Sequence, residues 1–168
     1  MRKLFLLILG FALITFAGIA QASDYLSPLS GDVEVPARDT KARGNAIYKL
    51  SDDGLTLHYR LIVANIDNVV ASHIHLGPKG VNAPVVVFLY GSVPPGGGSV
   101  NGVLAEGTIT AANLIGPLAG QPLSVLLAAM QAGNTYTNVH TNDGINPTNT
   151  GPGDFPGGEI RGQIRAGD

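Results

Sequence analysis

Short apolar runs, each cut off by Gly, Pro, Asn or Asp before it can wind into a long helix, follow one another along most of this chain. The 23 Gly and 11 Pro are spread among these runs rather than gathered in one block. That punctuation fits many short strands joined by tight turns. With 45% hydrophobic and only 13% charged residues, the chain can bury enough apolar surface to fold, which excludes an intrinsically disordered reading.

Read in order, Val33-Glu34-Val35 ahead of Pro36 predicts a short edge strand, because proline cannot donate to a ladder. Gly44 to Leu50 and Leu55 to Ile66 flank Ser51-Asp52-Asp53-Gly54, a hairpin signal. In the second run Leu55, Leu57, Tyr59, Leu61 and Val63 share one face, and Thr56, His58 and Arg60 share the other. A strand from Val69 to Leu76 leads through the turn Gly77-Pro78-Lys79-Gly80 into Val85 to Tyr90, which is dense enough in β-branched residues to predict a central strand. Pro94 to Ser99 reads as an exposed loop and Val103 to Ile109 as a strand, with Thr110 able to cap a helical turn at 111–114. One helix is expected over Leu123 to Ala132, where Leu123, Leu126, Leu127 and Met130 fall on one stripe and Gly133 follows. Thr135 to Thr141 and Glu159 to Ile164 complete the strands around a polar loop. The expectation is a mostly β fold, an antiparallel β-sandwich or Greek-key barrel with one short helix.

The chain opens with Met1-Arg2-Lys3, continues with an apolar stretch from Leu4 to Ala20, and reaches the small-x-small sequence Ala20-Gln21-Ala22. This order predicts a signal peptide over residues 1–22 and a single domain over 23–168. A retained anchor is the competing reading, but the apolar stretch is short for a hydrocarbon core about 30 Å thick. Export places the protein in the periplasm or outside the cell. There is no cysteine, which removes disulfides, lipid attachment at a cysteine, thiolate metal sites and cysteine nucleophiles together. Loss of Arg2 and Lys3 with the leader takes the formal charge from −2 to −4. A weakly acidic surface without basic clusters argues against nucleic acid and, after cleavage, against membrane as partners.

Three histidines stand out, His73 and His75 in Ser72-His73-Ile74-His75-Leu76 and His140 in Asn138-Val139-His140-Thr141. Strand periodicity puts His73 and His75 on one face, a chelating arrangement for one Cu or Zn ion if His140 lies on a neighbouring strand. Protons would then compete with metal near the reference imidazole pKa of about 6.5. Alternatively each imidazole is structural, bonded to a backbone carbonyl or to a carboxylate such as Glu159 or Asp154. His58 reads as an exposed strand residue. Glu159, Arg161 and Gln163 share a face of the last strand, where they either orient a ligating histidine or form a cross-strand ion pair. Gly-x-Ser-x-Gly, phosphate-loop and dinucleotide motifs do not occur. Ser72 and His73 are strand neighbours pointing to opposite faces, so they cannot act as nucleophile and base.

Ala71-Ser72-His73-Ile74-His75-Leu76-Gly77, Tyr136-Thr137-Asn138-Val139-His140-Thr141 and Gly158-Glu159-Ile160-Arg161-Gly162-Gln163-Ile164 resemble, in that order, the hallmark segments of the CHRD domain, a family named after chordin. Ser72 stands where the family's first motif often has Ala. The resemblance implies an extracellular β-sandwich-like domain that acts as a non-catalytic binding module, its partner an extracellular protein or a small ligand. The His-Ile-His segment is also similar to the copper-ligand strand of Cu/Zn superoxide dismutases. Four histidines and no cysteine are too few for that family's two-metal set. The alternative function is therefore a single copper or zinc ion at His73, His75 and His140, with Asn138, Glu159 and Arg161 supporting it and dismutase-like redox chemistry as its extension.

Overall fold

A computed structural model describes residues 24–167, so the leader expected over 1–22 lies outside the described residues. Among the described residues nine strands occur: β1 (Asp24–Ser30), β2 (Arg43–Leu50), β3 (Leu57–Asp67), β4 (Val69–Leu76), β5 (Val85–Gly91), β6 (Ser99–Ile109), β7 (Thr135–Thr141), β8 (Ile160–Gln163) and β9 (Arg165–Ala166). They form one antiparallel sheet in the order β5-β4-β7-β8-β1-β2-β3-β6, with β9 also pairing with β1. The sheet rolls into a nearly closed barrel. Its two ends, β5 and β6, come into contact, and Tyr59 on β3 donates through its hydroxyl to the Leu89 carbonyl on β5 at 2.7 Å. Closure of this kind leaves little unpaired edge.

The alternation read from the sequence gives the core. Tyr48, Leu57, Leu61, Ile66, Ile74, Ile109, Ile160 and Ile164 are fully buried inside the barrel. The single α-helix among the described residues, α1 (Leu123–Gln131), adds Leu123, Leu126 and Met130 from one stripe, and Gly133 beyond it takes the left-handed conformation at φ +68°. Tyr48 meets its polar requirement inside the barrel by a 2.7 Å bond to the Thr137 hydroxyl.

Two expected strands are corrected. Val33 to Val35 is not an edge strand: Gly31–Val33 forms a turn of 3-10 helix, with the Gly31 carbonyl accepting from both Glu34 and Arg38. The first strand instead occupies Asp24–Ser30, where Tyr25, Ser27 and Leu29 alternate inward. Val85 to Tyr90 is not central, because β5 ends the sheet order. Bulges against β4 turn both Val86 and Val87 inward, and closure on β6 covers them, so the apolar density comes from the barrel seam. The last strand is also shorter than expected and breaks at Ile164 before β9.

Pro28 lies in a strand with neighbours on both sides, a place proline ordinarily avoids. It is tolerated because β8 pairs with β1 at Ser30 and β9 pairs at Tyr25 and Leu26, leaving Pro28 in the gap between them. There Gly162 packs directly against the Pro28 carbonyl, and the Ser27 hydroxyl donates to the Gly162 carbonyl at 2.7 Å. A methyl group at 162 would collide with backbone. Gly162→Ala should therefore destabilise the protein by about 1–3 kcal/mol, read from chemical denaturation; wild-type stability would contradict this packing.

Candidate metal centre

β4 and β7 are hydrogen-bonded neighbours, in the register Ala71 to His140, His73 to Asn138 and His75 to Tyr136. Ile74 and Val139 point into the core, so alternation sends His73, His75, Tyr136, Asn138 and His140 to the opposite, outer face. The β4–β5 ladder shifts register opposite Ser72/His73 and Ile74/His75, where β5 carries the extra residues Leu89 and Val86. One ring nitrogen from each of His73, His75 and His140 lies within 4.8 Å of the other two. The structure thus brings together the three histidines singled out from the sequence, and leaves His58 exposed on β3.

The hydrogen bonds of the rings decide which nitrogens are free. His75 Nδ1 lies 2.7 Å from the Ala83 carbonyl, and His140 Nδ1 lies 2.8 Å from the Pro156 carbonyl. A carbonyl oxygen only accepts, so both Nδ1 atoms carry hydrogen, and each neutral ring keeps a lone pair on Nε2. These lone pairs face inward: each Nε2 is 3.0 Å from Asn138 Oδ1, and His140 Nε2 is 3.1 Å from His73 Nδ1. His73 can donate one proton to His140. Among the described residues nothing donates to His75 Nε2, which faces another acceptor, Asn138 Oδ1. Such a collection of acceptors is completed by a cation.

Burial keeps the rings neutral. It pushes the His73 pKa down to about 3, with the His140 and His75 rings contributing. It also lowers His140, helped by His75, and His75, helped by the Arg161 charge. This corrects the expected onset of proton competition, which moves below the ordinary imidazole value. His73 additionally packs edge-on against Phe88, centroids 4.8 Å apart; Phe88 is 54% exposed and forms the outer lip.

The supporting residues act differently from expectation. Glu159 does not reach a histidine and makes no ion pair with Arg161: its carboxylate accepts from Thr40 and Thr141 at 2.6 Å and from the Gly153 N–H at 2.9 Å. Its position just ahead of β8 turns it toward the 153–158 loop, which it secures and which presents the Pro156 carbonyl. Asp154 likewise bonds Thr150 rather than an imidazole. Arg161 donates to the Val81 and Pro78 carbonyls at 2.8 and 3.3 Å and to Asn82 at 3.2 Å. Those bonds hold the loop that carries Ala83. Its guanidinium also sits 3.3 Å from the centroid of Tyr136, on which His75 is stacked at 4.7 Å.

Glu34 escaped the sequence reading. It is 5% exposed, and Oε2 accepts from the Val35 N–H at 3.0 Å. Oε1 has no partner at full hydrogen-bonding geometry, with the Asn138 amide alongside. Burial raises the carboxyl pKa, opposed by the Val35 N–H, Arg161, Asn138 and Arg38. No local motif marks such a residue, which lies far from both histidine strands in sequence.

The family model of the CHRD domain matches residues 25–164. No curated protein matches the chain.

In the metal-free protein, depressed imidazole pKa values give a definite sign. The unfolded histidines take up protons near pH 6.5 while the folded ones do not, so stability present above that pH is lost as pH falls toward the folded value, about 3 for His73. Melting temperature should fall across this window, and fall less steeply in His73→Gln. Identical slopes for the two proteins would contradict the assignment.

Proposed function

The chain belongs to the CHRD domain family, and from that premise we propose that it is an exported, non-catalytic binding module whose ligand is one Cu(II) or Zn(II) ion at His73, His75 and His140. The observation that carries this reading is the convergence of three imidazole nitrogens within 4.8 Å, two of them with their lone pairs directed inward by backbone carbonyls. Neutral nitrogen donors suit both ions, and the general order of stability favours copper. Ligating histidines whose second nitrogen is bonded to a carbonyl or carboxylate are the usual arrangement at such centres. Three imidazoles leave positions for Asn138 Oδ1 and for an outside ligand approaching past Phe88. Export rests on the sequence of residues 1–22, and the periplasm or the extracellular space is the compartment this implies.

Calorimetric titration of metal-free protein with Cu(II) and Zn(II) should show one site per chain, tighter for copper. His73→Ala and His140→Ala should each weaken it by at least about 100-fold. Absence of a stoichiometric site, or wild-type affinity in both variants, would overturn the proposal.

A further inference from the structure

We infer that Glu34 is a positioning residue for this centre: its carboxylate sets the polarity of the Asn138 amide so that the oxygen, not the NH2, faces the histidines. The inference rests on the metal-binding reading and adds what makes the pocket select a cation.

The relevant groups form a short chain of donors and acceptors. The Val35 N–H donates to Glu34 Oε2 at 3.0 Å. Glu34 Oε1 and Asn138 Nδ2 flank the same point: a Cβ added at Gly158, which lies at φ +125°, would collide with that carboxylate oxygen and lie 3.2 Å from the amide nitrogen. Asn138 Oδ1 then lies 3.0 Å from both His75 Nε2 and His140 Nε2. A carboxylate is an acceptor at both oxygens. It can therefore take the fixed backbone donor on one side only while asking for an N–H from Asn138 on the other. Turning the Asn138 amide over would set oxygen against oxygen at Glu34, and would give the His75 lone pair the donor it lacks and the His140 lone pair a second one beside His73. The buried carboxylate thus holds the site in its acceptor-only state. That state is unfavourable when empty and is relieved by a metal ion.

Glu34→Gln tests this with almost no change of shape. The Val35 N–H requires the oxygen of the new amide, so its NH2 must face Asn138. Asn138 then presents oxygen to that NH2 and its own NH2 to His75 and His140, satisfying them without metal. Cu(II) affinity should fall by about 10–100-fold, the size typical of groups that orient ligands, and the Cu(II) electron paramagnetic resonance spectrum should change. The melting temperature of the metal-free protein should equal or exceed wild type. Adding Asn138→Asp to Glu34→Gln supplies an acceptor to both neighbours again, and should restore copper affinity and a spectrum like that of wild type.

Wild-type copper affinity and spectrum in Glu34→Gln, a lowered metal-free melting temperature, or failure of Asn138→Asp to rescue would each overturn the role of Glu34 while leaving the metal site intact. A wild-type protein that binds neither Cu(II) nor Zn(II) would instead remove the reading on which it rests.

Discussion

A backbone carbonyl can only accept a hydrogen bond, and the chemistry of this molecule's outer face depends on two of them. Ala83 and Pro156 each take the Nδ1–H of a histidine, at 2.7 and 2.8 Å. Each bond contributes about 1 kcal/mol, which is unexceptional. Their consequence is directional: the remaining lone pairs of His75 and His140 cannot turn away, and they meet at Asn138 Oδ1 with His73 beside them. Without those carbonyls the rings could exchange protons among themselves and satisfy one another.

Much of the remaining structure holds the two carbonyls in place. Arg161 ties down the loop before β5 through Pro78, Val81 and Asn82, and its charge rests on the Tyr136 ring against which His75 stacks. Glu159 performs the matching task for the loop before β8, bonding the Gly153 N–H and the hydroxyls of Thr40 and Thr141. Both charged groups are almost completely buried, with 1% of Arg161 and none of Glu159 exposed. Each is satisfied by several hydrogen bonds rather than by the other's charge, which lowers the penalty of desolvating a buried ion. Beneath them the barrel supplies rigidity, since β4 and β7 lie on its continuous ladder and their inward residues, Ile74 and Val139, belong to the core.

What the sequence disclosed follows from what period and turn chemistry can encode. Strands β4 and β7 and the helix near 123–131 were legible because each has a strong periodic pattern bounded by Gly or Pro. The shared face of His73 and His75 followed from alternation alone. That β4 and β7 are neighbours did not: ladder partners far apart in sequence leave no trace in local pattern, and only the register of the folded sheet brings His140 beside the pair. Val33 to Val35 misled because apolar alternation ahead of a proline resembles an edge strand, whereas the Gly31 carbonyl collects two donors and bends the chain. The Val85 run misled because barrel closure buries an end strand as thoroughly as a central one. Glu34, Ala83 and Pro156 were invisible: the first acts across the fold from a turn, and the other two contribute backbone atoms that any residue possesses.

Burial gives the site its other property. Imidazoles screened from water resist protonation, so the lone pairs remain available in mildly acidic surroundings. The central claim is therefore a statement about where two protons reside, and long-range 1H–15N correlation spectroscopy of the metal-free protein at neutral pH reads this directly. The account predicts that His75 and His140 are both protonated on Nδ1 and bare on Nε2; a proton on Nε2 of either ring would contradict it.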